Sequence, residues 1–208
     1  MILSVKQGNG NKIHIYVDDE YRATVDSDYW YSEKYRNLKE INEEELTELL
    51  NAVSFRRAYN KGLDFLSRRP YGTKELIKKL CEKGHEKASA EKACERLTEL
   101  GLLNDEEFAR ILANDLLERK NYSIKRIKQE LIFRGINREI VENTVEILDN
   151  DPVPRIIMLV KKKYINKIDD EKGRKRTVYA LMRLGYSYSD IKNALNTITE
   201  FDEEQDYE

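Results

Sequence analysis

Three groups of basic residues carry the only recurring chemistry in this chain. Arg68, Arg69 and Tyr71 flank Pro70 and lead into Lys74 and Lys78. Arg119, Lys120 and Tyr122 lead in the same way into Lys125, Arg126 and Lys128. Lys172, Arg174, Lys175 and Arg176 form a third group that lacks the tyrosine. Cationic side chains with an interleaved ring suit a nucleic-acid backbone or an acidic protein groove. The competing reading of each residue is a solvated helix face, and recurrence in all three groups favours the functional one for the set.

Other candidate chemistry is thin. His14 and His85 are the two histidines, and neither has a Cys, His or carboxylate at ligand spacing on its own face. Cys81 and Cys94 lack Cys-x-x-Cys spacing and read as small apolar residues of a reducing compartment. Asp105-Glu106-Glu107 is explained by the helix dipole at a helix start, and Asp169-Asp170-Glu171 reads as a loop. There is no Gly-rich phosphate loop and no Gly-x-Ser-x-Gly. The residues therefore predict no catalytic residue, no metal and no cofactor, and a protein that acts by binding rather than as an enzyme.

The elements that must position the basic groups are helices in a repeat. Leu80-x-x-x-Gly84, Leu131-x-x-x-Gly135 and Leu181-x-x-x-Gly185 align, with glycines 51 and 50 residues apart. Cys94, Val145 and Leu195 lie ten residues after each glycine, and Leu97, Leu148 and Ile198 thirteen after. Gly72, Ser123 and Gly173 lie twelve before and are fit to start a helix. The two tyrosines, Tyr71 and Tyr122, each stand thirteen before. Two short helices joined through a left-handed glycine explain the spacing. A longer first helix precedes each pair, at 46–66, 105–118 and 155–166. Asn42 with Glu45, and Asn104 with Glu107, predict capping boxes. Pro70, Pro152 and Pro154 are read as boundary marks outside the periodic stretches.

The N-terminal segment differs. Ile13, Ile15 and Val17 alternate along a strand, Asp18-Asp19-Glu20 turns into a second at 21–25, and residues 2–6 supply a third through Gly8-Asn9-Gly10-Asn11. So small a sheet needs a partner layer, for which Tyr29, Trp30, Tyr31 and Tyr35 are candidates. The fold class expected is mainly α, in tandem three-helix repeats, with a small N-terminal β-sheet or hairpin. The divisions are 1–40 for the sheet region, 41–103, 104–150 and 151–199 for the repeats, and 200–208 for an acidic, disordered tail.

Charge follows the repeat. Residues 51–80 carry eight Lys and Arg against two acids, and 81–107 carry four against eight. Residues 108–138 carry eight against three, while 139–150 hold four acids and no base. The whole chain of 208 residues has a net charge of -2, so attraction to nucleic acid rests on local patches. Its start is too short and polar for a signal peptide and no apolar run reaches membrane-spanning length, which predicts a cytoplasmic protein without a membrane partner. No sustained heptad seam is present, which predicts a monomer.

The stretch Arg68-Arg69-Pro70-Tyr71-Gly72-Thr73-Lys74-Glu75-Leu76, continuing to Leu80 and Gly84, resembles the first repeat of the RecX family. Gly101-Leu102-Leu103-Asn104-Asp105-Glu106-Glu107-Phe108-Ala109 is similar to that family's most recognisable motif, with Asn104 where the family often has an aspartate. Arg126-Ile127, Leu131 and Gly135-Ile136 resemble its second repeat, and the likeness is weaker over the third. The resemblance implies an elongated, curved array of three-helix repeats. It also implies a regulator that binds the RecA recombinase filament on single-stranded DNA and restrains recombinase and coprotease activity, with no catalytic residues. The alternatives are a free-standing protein that binds single- or double-stranded DNA through its basic helix faces, and an adaptor for some other acidic protein.

Overall fold

The computed structural model describes residues 1–148, 151–168 and 170–205. The chain forms two compact units. The first contains Met1–Tyr71 and Glu75–Leu103, and the second contains Gly72–Lys74 and the chain from Asn104 onward.

The first unit opens with strands β1 (Leu3–Gln7), β2 (Lys12–Val17) and β3 (Glu20–Asp26), an antiparallel sheet in the order β1-β2-β3. Asp18 and Asp19, at φ of 50° and 63°, make the tight β2–β3 turn. Turns of this kind need left-handed backbone at both central positions, which aspartate tolerates. Alternation buries Ile13, Ile15 and Val17 of β2 with Ala23 and Val25 of β3. The layer they pack on is helix α1 (Ser27–Ser32), through Trp30, with Leu49 and Val53 of α2 (Glu43–Leu66). The aromatic cluster thus divides. Trp30 is core, Tyr29 is half-buried against it and Tyr31 is exposed, while the Tyr35 side chain lies outside the described residues.

Helix α2 begins at a complete capping box. The Asn42 side chain accepts from the Glu45 N–H at 2.9 Å and the Glu45 carboxylate accepts from the Asn42 N–H at 3.0 Å. Helices α3 (Thr73–Glu82) and α4 (Lys87–Glu99) bring Leu76, Leu80, Cys94 and Leu97 onto Phe65 and Leu103. Gly62 lets α2 and α4 approach, since a Cβ there would stand 2.8 Å from Leu97 Cδ1.

The second unit repeats the plan twice. Helices α5 (Asp105–Glu118), α6 (Ile124–Phe133) and α7 (Arg138–Glu146) enclose Phe108, Ile127, Leu131 and Val141. Helices α8 (Pro152–Lys163), α9 (Glu171–Arg183) and α10 (Tyr188–Gln205) enclose Ile156, Leu181, Ile191 and Leu195. The glycines close their helices identically. Gly84, Gly135 and Gly185 sit at φ of 85°, 87° and 96°. Their N–H groups donate to Cys81, Ile132 and Met182, and the next N–H in each case reaches back to Leu80, Leu131 and Leu181. That pair of bonds is the Schellman closure, which satisfies carbonyls the helix leaves open.

Five expectations are corrected. Pro152 and Pro154 stand inside the first turn of α8, where the missing N–H has no intrahelical role. Helix α9 starts ahead of Gly173, because the Asp170 side chain takes the cap and accepts from the Gly173 N–H. Asp170 and Glu171 thus belong to a helix start rather than a loop, while Asp169 lies outside the described residues. Asn104 caps α5 by accepting from the Glu106 and Glu107 N–H groups, but the reciprocal half of the box is missing, because Arg110 holds the Glu107 carboxylate at 2.6 Å. Finally, α10 continues through Gln205 across the first part of the expected acidic tail, a stretch of helix-tolerant Glu and Gln. Residues 206–208 lie outside the described residues.

Candidate functional site

The first basic group splits into a clamp and a free pair. Arg68 follows the end of α2 and pairs with Asp64 at 2.8 Å, while Lys61 holds the same carboxylate at 2.5 Å. The Lys61 hydrogen bond, with help from Arg68, keeps the Asp64 carboxyl below its ordinary range. Arg69 pairs with Glu75 at 2.8 Å and lays its guanidinium 3.6 Å over the Tyr71 ring. Burial opposes the Arg69 charge, and the Glu75 carboxylate outweighs it. Tyr71 is only 8% exposed and packs on Phe65, so its ring is placed in the core under Arg69. Lys74 and Lys78, one turn apart on α3, are exposed and outside any ion pair among the described residues, although the Lys78 charge helps hold the Glu82 carboxyl below its ordinary range.

In the second group, Arg119 pairs with Asp115 at 2.9 Å and Lys128 is bonded to Glu142. Tyr122 is half-buried against its core, with the Arg126 guanidinium 5.2 Å from its ring centre. Lys120 and Lys125 are exposed and unpaired among the described residues. Ser123 caps α6 by accepting from the Arg126 N–H at 3.3 Å. The third group lies on the first turns of α9, where Lys175 pairs with Glu171 at 2.6 Å. Lys172, Arg174 and Arg176 have no acidic partner among the described residues.

Two features of the second unit escaped the sequence reading. The helix-ending glycines also make room. A Cβ at Gly135 would stand 2.7 Å from Lys74 Cδ, and one at Gly185 would stand 2.6 Å from Arg126 Cβ and 2.5 Å from Ser123 Oγ. The Ser123 N–H donates to the Leu184 carbonyl at 3.0 Å, and the Thr73 N–H to an Asp105 carboxylate oxygen at 2.7 Å. Within the second unit the N-terminus of α6 is thus held against the helices that follow it. The second feature is the continuation of the basic face of α9 through Tyr179, Met182 and Arg183. With Arg176 they line a shallow depression of about 520 Å³, and Tyr179 is 65% exposed. Their i, i+3, i+6 and i+7 spacing was readable as one helical face.

A smaller depression of about 210 Å³ also lies in the second unit, lined in part by Lys125, Arg155 and Tyr186. Arg155 pairs with Glu118 at 3.3 Å, and its Nε and the buried Tyr186 hydroxyl find no hydrogen-bond partner among the described residues. Burial pushes the Tyr186 hydroxyl up, against the opposing charge of Arg155. His14 Nδ1 and the Thr24 hydroxyl are 2.7 Å apart, Cys94 is buried and Cys81 is half-buried. Among the described residues no group of three or more His, Cys, Asp or Glu is arranged to hold a metal ion. Nor is any helix among them long and apolar enough to cross a membrane.

Known proteins share this arrangement. The family model for the first three-helix domain of RecX matches residues 58–97, and that for the second matches residues 104–145. The regulatory protein RecX of Clostridioides difficile is 32% identical over 198 residues, covering 94% of this chain and 93% of that protein. Its counterpart in Clostridium perfringens is 27% identical and covers 95% of this chain and 94% of that protein. A crystal structure of regulatory protein RecX superposes with a TM-score of 0.68 at 18% identity, over 94% of this chain and 98% of that one. The crystal structure of RecX from Lactobacillus salivarius gives 0.61 at 22% identity, over 71% of this chain and 98% of that one. The structural likenesses carry the fold alone, and the full-length sequence match carries the kinship: this chain belongs to the RecX family of regulatory proteins.

Proposed function

We propose that this protein regulates the RecA recombinase in the cytoplasm, as a monomer, by binding the RecA filament on single-stranded DNA and restraining its recombinase and coprotease activity. The observation that carries the reading is the recurrence of exposed cations outside any ion pair, among the described residues, on or just before each second helix: Lys74 and Lys78, then Lys120 and Lys125, then Lys172 and Arg176. A filament is itself a repeating ligand. Several weak, equivalent contacts along one chain add as intramolecular events, so modest sites yield tight binding. The exposed cations face acidic protein surface or phosphate, whereas Arg68, Arg69, Arg119, Lys128 and Lys175 are engaged by carboxylates.

A second reading, direct binding of DNA, is favoured by the α9 face, where Tyr179 stands between Arg176 and Arg183. Each reading predicts a different salt response. Co-sedimentation with preformed RecA filaments tests the first. The triple substitution Lys74→Ala, Lys125→Ala and Arg176→Ala lowers co-sedimentation at least tenfold, while Arg119→Ala changes it little. Unchanged binding by the triple variant would sink the proposal for these cations. Equal loss on bare DNA and on filaments would favour the second reading.

A further inference from the structure

A cleft in the first unit, outside all three basic groups, has the composition of a nucleotide site. It lies between the N-terminal sheet and α2 and has a volume of about 260 Å³. Its floor is Val25 and Val53. One wall is a single face of α2, on which Arg56, Arg57 and Asn60 follow Val53 at helical spacing. The other is the sheet, with Lys12 at the start of the central strand and Tyr21, Thr24 and Asp26 of the edge strand β3, joined by Tyr29 of α1.

The charges in this cleft are unequally engaged. Asp26, its one carboxylate, is bound to Lys12 at 2.6 Å. Arg56 and Arg57 are exposed and have no carboxylate partner among the described residues. Arg56 is steered by the Tyr29 ring, whose centre is 5.0 Å from its guanidinium carbon. Two guanidinium groups lining one wall without an acid suit an oxyanion, because each presents a planar fork of donors. The aromatic part is equally specific. Tyr21 is held at its margins, with Tyr16 and His14 packed edge to face at 5.9 and 6.0 Å and its hydroxyl 2.8 Å from that of Thr24. It nevertheless stays 57% exposed. A ring fixed in place and left open is a stacking platform, because the entropy of ordering it is already spent. The Asn60 side chain adds an amide that reads donors and acceptors on a base edge.

We infer that this cleft holds one nucleotide unit of a single nucleic-acid strand, with its phosphate on Arg56 and Arg57 and its base stacked on Tyr21. The volume lies below the roughly 300–1,000 Å³ of pockets that enclose whole small molecules, which suits one unit of a polymer passing through. An acidic peptide would use the guanidinium groups and leave the tyrosine face idle. The inference goes beyond the regulatory reading and does not rest on it.

The test uses the full chain and an oligothymidylate carrying 4-thiothymidine, with no recombinase present. Irradiation and peptide mapping place an adduct on Tyr21 or Tyr29. Arg56→Ala/Arg57→Ala lowers affinity about tenfold and flattens the salt dependence by about 0.7 for each phosphate that is no longer neutralised. Tyr21→Ala lowers affinity at least about fivefold, and Tyr21→Phe keeps it, since the stacking face remains. Circular dichroism melting that matches the parent chain shows that each variant is folded. Adducts confined to α3, α6 or α9, or an unchanged affinity and salt slope in the double variant, overturn the inference. So does a double variant that loses binding to a polyglutamate peptide while holding the oligonucleotide as before.

Discussion

Gly84, Gly135 and Gly185 share a left-handed backbone, yet they are not equivalent. Any side chain at these positions costs roughly 1–2 kcal/mol in backbone strain. Gly84 has nothing within 4 Å of a built Cβ, Gly135 faces the flexible stem of Lys74, and Gly185 faces Ser123 Oγ and Arg126 Cβ. Alanine substitution is therefore expected to destabilise least at Gly84, more at Gly135 and most at Gly185. Urea unfolding of the three variants measures it, and equal losses would show that strain alone matters. Tyr71 makes a sharper contrast with its neighbours. Tyr71→Ala removes a buried ring and should cost about 3–5 kcal/mol, whereas Lys74→Ala should leave the urea midpoint nearly unchanged. His85 adds a pH dependence. Burial, then Arg57 and Lys61, lower its pKa from the ordinary 6.5, so the unfolded chain binds the proton more readily. Its contribution to stability is then complete above 6.5 and falls as pH drops below it. His85→Gln should flatten thermal melting between about pH 7.5 and 5.5, and an unaltered pH slope would contradict this account of the site.

At the scale of elements, helix ends were the most legible part of the sequence. Asn42, Gly84, Gly135 and Gly185 each act through bonds to residues within five positions, so the local sequence contains the whole interaction. The misread ends have equally local causes that the repeat alignment hid. Asp170 outcompetes Gly173 as a cap, and Pro152 is compatible with the first turn of α8. Ser123 was legible as a helix start and carries a second task, because its N–H is bonded to Leu184 far along the chain. Ser123→Ala removes only the cap and should cost about 0.5–2 kcal/mol, read from the shift in denaturant midpoint. The site was legible in residue type and not in availability. Lys128 and Glu142 meet on different helices, and so do Arg155 and Glu118. Which cations remain free is therefore decided by the fold. The cleft beside Arg56 escaped for the same reason, since its two walls come from a strand and a helix that the sequence treats as separate segments.

At the scale of the molecule, near-neutral net charge and strong local polarity serve one purpose. A chain with 37 basic and 39 acidic residues gains little from long-range attraction to DNA. Under the proposed function its selectivity comes from matching several sites to a repeating partner, and each three-helix element supplies a cationic second helix. The most direct test of this account is the single-strand-dependent ATP hydrolysis of RecA from the same organism, titrated with this protein at moderate salt. The account predicts that hydrolysis falls well below one molecule per RecA, and that the Lys74, Lys125 and Arg176 triple variant needs far more protein for the same effect. Hydrolysis that stays at its starting rate up to equal amounts of the two proteins would contradict it.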